Sequence, residues 1–558
     1  MKRKYHIIIE GETVSFPEHT TFRQIVDRYA DRPEDPVVMV RLNGNPQELF
    51  KEVTQDGTLE FVQMSSKDGM QVYLRSALFV MQKAFHDVSQ DANRMIRVLF
   101  TMDHAYYCEV FRDGEQQRLC ASEASLLHSR MEELIEADLP IRKENVSARE
   151  AEAVFAEHNL KDQNRLFAYR RSSRVNLYSI NGYREYQYGF LLDHTGLLRR
   201  FELLMHEPTG GFFLNFPAME DPDAVDPFVF QPKLFSLQRR DSIWASQLDL
   251  ATVGALNDRI AQGGMGSTIL AQEAMQEQAI GEIAQNIISS GDKKFILIAG
   301  PSSSGKTTFS HRLSIQLLSR GYHPHAIAMD DFFLDRDKMI RQSDGSFDFE
   351  SLDAVNVVQF NEIMLRLLNG EEVQMPKFDF REGRQKFDGR TLKIGPDDIL
   401  VIEGIHGLNP KVSASLPAER IYRIYISALS PLKMDEHNCL STRDMRLLRR
   451  IVRDARTRGT DAARTLSMWD SVRRGEERHI FPFQENADVM FNSSLIYELP
   501  VMKQYVEPAL FSIPKSDPAY PEAGRLLKLL SHSLGYPSEG IASHSILREF
   551  IGGSCFSV

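Results

Sequence analysis

The stretch that most constrains this chain is KFILIAGPSSSGKTTFSHRLSIQLLSRG, residues 294–321, in which Gly300, Gly305, Lys306 and Thr307 satisfy G-x-x-x-x-G-K-[ST]. Phe295 to Ala299 before it is a short apolar run of buried-strand type, and the residues after Lys306 have helical periodicity ending near Gly321. Strand, glycine-rich loop and helix in that order predict a row of backbone N–H groups converging at the positive end of a helix. Gly300, Ser302, Ser303, Ser304, Gly305, Lys306, Thr307 and Thr308 are therefore the candidate cradle for nucleotide phosphate. Lys306 is expected near the β/γ-phosphates and the Thr307 hydroxyl on Mg2+.

Two more strands are expected beside the first. HAIAMDDFFLDR ends its apolar run at Asp330 and Asp331, and DDILVIEGIHGL delivers Glu403. Carboxylates at the C-terminal ends of parallel strands border the ligand crevice of such sheets. One of the aspartates is a candidate base; the alternative is that the pair caps the following turn. Glu403 is placed to orient Mg2+ or its water shell. Residues 441–460, STRDMRLLRRIVRDARTRGT, hold seven arginines against two aspartates. Arg446, Arg449, Arg450 and Arg453 recur at helical spacing along one face. That face is either a solvated charge run paired with acids or a mobile arginine lid that clamps transferred phosphate and excludes water.

The length of 558 residues predicts about three to five domains. With 66 basic and 77 acidic residues the net charge is -11, against a surface built for bulk nucleic-acid binding and compatible with a local basic site. The four cysteines lack C-x-x-C pairing, which argues against a disulfide framework or zinc knuckle. The basic N-terminus is followed by an apolar run too short for a signal peptide, and no run approaches about 18 apolar residues, so no membrane contact and a cytoplasmic location are expected. Residues 1–65 read as short strands and one helix, a small mixed sheet with a helix start near Thr20 and Thr21 and a turn at Asn43-Gly44. Residues 66–218 read as α+β, with strand-like pieces at AYYCEVF and FELLMHE. Residues 219–291 read as a proline-rich acidic connector and a helical linker, and 511–558 as a packed tail.

Taken together, GPSSSGKTT, AMDDFF, FDFESLDAVN, MPKFDF, VIEGIHGLN and RRIVRDARTRG resemble the uridine kinase and phosphoribulokinase family, over about residues 292–510. The resemblance implies an α/β doubly wound P-loop kinase domain that transfers the γ-phosphoryl group of ATP to a hydroxyl, in nucleoside kinases the ribose 5′-hydroxyl. It also implies that Asp330 receives the substrate hydroxyl, that Lys306 and Thr307 hold phosphates and metal, and that Glu403 is the Walker B acid. Arg450 and Arg453 match the substrate and phosphate arginines and Arg458 the lid arginine. The pocket departs from that pattern. Glu350 stands where the family places an aspartate, with Asp353 three residues on. Phe378 and Gly383 replace the base-contacting tyrosine and histidine, Met468 the uracil-reading glutamine, and Thr460 an arginine. A site built to hydrogen-bond its ligand rejects analogues strongly, so these changes bear on the acceptor.

Residues 1–65 resemble a TGS domain, a β-grasp module, and residues 66–218 resemble the second additional domain of threonyl- and alanyl-tRNA synthetases. The metal motif of that domain falls on Arg75 and Phe79, and no cysteine lies near Tyr188 to His194, so metal-assisted editing is not expected. His104 and His194 are isolated histidines. The expected fold is thus multidomain, a P-loop kinase domain preceded by a β-grasp module and an α+β domain. The expected activity is a nucleoside kinase using ATP and Mg2+. The alternatives are a kinase for a sugar, sugar phosphate or pantothenate-like alcohol, and an ATP-binding regulatory or tRNA-associated protein. RNA contact and self-association remain open roles for the N-terminal half.

Overall fold

A computed structural model describes residues 3–30, 34–89, 91–170, 172–218, 224–339 and 350–557. At the N-terminus, Lys4–Ile9, Glu12–Pro17, Val37–Leu42, Asn45–Gln47 and Gly57–Gln63 form one five-stranded mixed sheet. Lys4–Ile9 runs parallel to Gly57–Gln63, and the other pairings are antiparallel. The helix Phe22–Tyr29 starts where Thr21 caps it: the Thr21 side chain accepts from the Gln24 amide, and Gln24 reaches back to the cap. Asn43 and Gly44 both take positive φ, the geometry a tight hairpin turn requires.

The next region packs the long helix Lys67–Val88 and the helix Ala121–Glu136 against a five-stranded sheet. In that sheet Ala105–Arg112 and Glu202–His206, the two pieces seen in the sequence, are separated by Gly211–Asn215, so they share a sheet without pairing directly. A three-stranded sheet, Arg142–Ser147, Arg174–Ile180 and Tyr183–Tyr186, completes the region.

The helices Pro232–Gln247, Val253–Ala261 and Met265–Ser289 lead into a second five-stranded sheet, all parallel, in the order His323–Ala328, Asp398–Glu403, Phe295–Ala299, Ile421–Ser427, Val489–Asn492. Phe295–Ala299 is central and fully buried. Its alternate residues feed two layers, Ile296 and Ile298 into one hydrophobic core and Phe295 and Leu297 into the other. That is the signature of a sheet covered on both faces. Residues of the three lead-in helices and of the C-terminal helices Glu498–Phe511, Tyr520–Leu530 and Leu547–Ile551 belong to the first of these cores. The segment before residue 292 and the tail are thus built into the parallel-sheet layer.

Contacts also tie the two halves together. The Glu436 carboxylate accepts from the Asp162 amide at 2.6 Å and the Gln163 amide at 3.1 Å, at the start of the helix Lys161–Ala168, and its carbonyl accepts from the Val98 amide at 3.0 Å. His437 pairs with Glu185 at 2.6 Å, both fully enclosed. Burial and the neighbouring Asp162 and Asp435 push the Glu436 carboxyl up. Among the described residues no helix is long and apolar enough to cross a membrane.

Candidate active site

The loop between Phe295–Ala299 and the helix Lys306–Leu318 lies at the C-terminal edge of the sheet, where the strand ends Ala328, Glu403 and Asn492 also arrive. Its glycines are dictated sterically: a Cβ on Gly300 would collide with the Ile426 carbonyl oxygen, and Gly305 takes φ +86 with Ile546 Cγ2 at 2.5 Å from where its Cβ would stand. Ser303 also takes positive φ. The resulting cradle carries two buried hydroxyls, Ser303 Oγ and Ser304 Oγ, with no hydrogen-bond partner among the described residues. Lys306 Nζ is turned back onto the Gly300 and Pro301 carbonyls at 3.0 and 3.2 Å. Orphaned donors, a left-handed loop and a lysine parked on carbonyls are what a phosphate cradle presents, and these residues fit a nucleotide.

Thr307 Oγ1 donates to Glu403 Oε1 at 3.1 Å, which brings the two candidate metal ligands together. Burial pushes the Glu403 carboxyl up to about 7; Lys306 works against that shift, and Asp330 and Glu549 add to it. The oxygens of Thr307 and Glu403 suit a hard cation held with help from phosphate and water.

The adjacent aspartates divide their duties. Asp331 is tied to the hairpin that follows, accepting from the Phe378 amide at 3.2 Å and pairing with Lys377 at 3.2 Å. Asp330 keeps a solvent-exposed edge within a dense protein surround, as a carboxylate lining a cleft does. Burial raises its pKa, Lys306 opposes the rise and Asp331 adds to it. Glu350 is raised to about 7, first by burial and then by Glu476, with Arg450, Lys306 and Asp330 also acting on it. Asp330, Glu350, Glu403 and Lys306 therefore lie close enough to feel one another's charge. Asp353 is exposed, its amide donating to Ser351 Oγ at 3.2 Å. Phe378 is buried against Phe333 and Phe380, a wall of rings instead of a polar contact.

The arginine helix, Thr442–Arg453, meets neither sequence expectation over its whole face. Arg446 and Arg449 are only 2 % and 0 % exposed, so they belong to no solvated face and no mobile lid. Arg446 forms a two-pronged ion pair with Glu476 at 2.5 and 2.8 Å and donates to the Ser302 carbonyl. Glu476 in turn accepts from the Ser302 amide at 2.8 Å. Arg449 pairs with Glu498 and donates to the Ser303 carbonyl and to Ser493. The physical reason is burial: a guanidinium this enclosed requires a carboxylate partner, and both partners come from helices downstream. These two arginines bolt the loop from behind.

Arg450, Arg453 and Arg458 fan out around Asp454. Arg450 donates to Asp454 at 3.2 Å and to Ser302 Oγ at 2.9 Å, Arg453 stands 3.6 Å from Asp454, and Arg458 pairs with it at 3.2 Å while its side chain stays half exposed. Burial, with Arg458 nearby, pulls Arg453 down to about 10, and its Nε, 3.6 Å from Asp454 Oδ1, has no hydrogen-bond partner among the described residues. Arg453 and Arg458 sit on or beside a single π-helical turn, Asp454–Arg458, a wide turn that concentrates charge at the crevice.

Sequence reasoning missed Glu476, Glu498, Ser493 and Glu549. Nothing local in RRGEERH or SILREF marks them, because their partners lie far along the chain; the one clue was that seven clustered arginines need anions somewhere. In the N-terminal half, Arg75 donates to the Phe190 carbonyl and Phe79 is core packed against Tyr183.

A parallel sheet whose C-terminal edge gathers a glycine-rich loop with buried hydroxyls, a hydroxyl–carboxylate pair and a fan of arginines defines this α/β domain. Residues 295–497 match the model of the Phosphoribulokinase / Uridine kinase family. The uridine kinase of Staphylococcus haemolyticus is 25% identical over 194 residues, 35% of this chain and 84% of that protein. The threonine–tRNA ligase of Syntrophotalea carbinolica is 26% identical over 194 residues, 35% of this chain. The chain spans only 30% of that ligase's length, and the likeness accords with the N-terminal resemblance. Among solved structures, a possible uridine kinase from Bacillus stearothermophilus aligns at 17% identity and TM-score 0.26, covering 38% of this chain and 97% of that one.

Proposed function

We propose that the C-terminal half is an ATP-dependent phosphotransferase that moves a phosphoryl group to the hydroxyl of a small molecule, with a nucleoside ribose 5′-hydroxyl as the acceptor. The observation that carries this reading is the convergence of Lys306, the Thr307–Glu403 pair and the Asp330 carboxylate at one strand edge. When bound, Mg-ATP supplies the transferable phosphoryl group. The loop amides and Lys306 bind its phosphates, and Thr307 with Glu403 holds the cation. Asp330 accepts the hydrogen bond of the acceptor hydroxyl, orients its oxygen and takes its proton; the raised pKa makes it a stronger base once ionised. Arg450, Arg453 and Arg458 balance the negative charge that gathers during transfer. Glu350 and Phe378 line the acceptor side.

A second reading, a sugar, sugar phosphate or other small alcohol as acceptor, is favoured by the Phe333, Phe378 and Phe380 wall, which offers no hydrogen bonds to a base. The test is ADP release with Mg-ATP across uridine, cytidine, other nucleosides, ribulose 5-phosphate and pantothenate, with Asp330→Asn as control. A nucleoside-dependent signal lost in that variant supports the first reading. A sugar- or alcohol-dependent signal moves the assignment to the second. Binding without acceptor-dependent turnover removes both in favour of a nucleotide switch.

A further inference from the structure

The loop helix carries an anion already, and the chain itself provides it. Glu549 Oε2 accepts from the Thr308 backbone N–H at 3.1 Å and from Thr308 Oγ1 at 2.9 Å. Those donors sit in the first turn of Lys306–Leu318, where the unpaired amides and the helix dipole favour negative charge. They are also part of the cradle that the sequence assigns to phosphate. A carboxylate oxygen and a phosphate oxygen cannot occupy the same donors, and two anions so close repel each other.

Glu476, the other carboxylate on the loop, differs in one decisive respect. It is neutralised by the two-pronged Arg446 pair, and it holds the outer edge of the loop at Ser302. Glu549 has no ion pair within 4 Å among the described residues, although its charge favours the charged form of the nearby Arg453. Its helix is held mainly through the backbone: Arg456 donates to the Glu549 carbonyl at 2.7 Å and to the Phe550 carbonyl at 3.0 Å. Ile546, next to Gly305, and Phe550, 5.0 Å beneath the Arg449 guanidinium, press the same segment against the loop. The helix Leu547–Ile551 is thus held by backbone and apolar contacts, and the Glu549 carboxylate itself by the two Thr308 donors.

We propose that Glu549 is a built-in competitor for the phosphate cradle, so that nucleotide binds only when its carboxylate leaves Thr308. The inference rests on the nucleotide-binding reading above and gives that site a form of self-restraint supplied by the chain's last residues.

The test is the affinity of the full-length protein for Mg-ATP without acceptor, by equilibrium dialysis. Glu549→Gln keeps the shape and removes the charge; it is expected to bind at least about tenfold tighter, a factor equivalent to about 1.4 kcal/mol. Arg456→Gln, which loosens the hold on the same helix, is expected to move affinity in the same direction by less. In the unaltered protein, Mg-ATP is expected to speed hydrogen exchange of the amides in residues 547–553. Equal or weaker binding by Glu549→Gln makes the carboxylate a plain helix cap and overturns the inference, while binding by the unaltered protein leaves the proposed function standing. Absence of binding by both forms overturns the two together. Should Glu549→Gln fail to fold, no gain in Arg456→Gln together with unchanged exchange overturns it.

Discussion

Glu476→Gln is the sharpest probe of how the loop is held. The native carboxylate serves three donors at once, two Arg446 nitrogens and the Ser302 amide, in a site with no solvent access. Removing one member of a buried ion pair costs about 3–5 kcal/mol, because the remaining charge stays buried without compensation. The glutamine carbonyl still accepts from one or two of those donors, returning about 1 kcal/mol for each neutral hydrogen bond. A net loss of about 2–3 kcal/mol is therefore expected in the domain that contains the loop. Trp469 reports on it directly, since the Arg446 guanidinium lies 5.5 Å from its ring, and only one other tryptophan, Trp244, needs replacing by phenylalanine to isolate that signal. Urea unfolding followed by Trp469 fluorescence measures the loss. Arg446→Met with Glu476→Leu removes both charges, and the pair is expected to recover most of the stability, giving a coupling energy of at least about 2 kcal/mol. A Glu476→Gln transition within about 0.5 kcal/mol of the parent, or a double variant as unstable as the sum of the singles, refutes the bolt.

Three other outcomes are expected. Lys306→Ala and Asp330→Asn each lower turnover by at least about a hundredfold in the ADP-release assay, the scale of a lost charge-stabilising or proton-accepting group. Gly300→Ala abolishes Mg-ATP binding while the N-terminal sheet melts as before, because its Cβ must displace the Ile426 carbonyl of the adjacent strand; nucleotide-induced thermal shift checks it. The Glu403 carboxyl, raised from 4.5 to about 7, keeps its proton when folded in a range where the unfolded chain has lost it. Its contribution to stability is thus full at low pH and disappears as pH rises through about 7, whereas Mg2+ affinity strengthens over the same interval as the ligand ionises. Titrations of Mg2+ at pH 6 and 8 are expected to differ severalfold, and Glu403→Gln to erase the difference.

The loop, its flanking strand and helix, and the strand-end acids were legible because each depends on neighbours in sequence: Gly300, Gly305 and Lys306 announce themselves within seven residues. The split between Asp330 and Asp331 was not, since it depends on a hairpin that returns Phe378 to the second aspartate. The arginine helix misled for a similar reason. Spacing placed Arg446 and Arg449 on one face, but whether a charged face meets water or two buried glutamates is decided 30 and 49 residues further on. Glu549 lies 241 residues beyond Thr308, in a segment without any local signal.

The Glu436 junction sets a timetable for the ribosome. The helix Lys161–Ala168 has its leading amides satisfied by a side chain made 274 residues later. At about 5–20 residues per second, that interval lasts from roughly a quarter of a minute to nearly a minute. Throughout it the emerging N-terminal half carries an unfinished helix end, and the Val98 amide likewise awaits the Glu436 carbonyl. The first half of the chain therefore completes its structure only as the second half is being made, so a truncated transcript or an early stop yields a piece with an open seam.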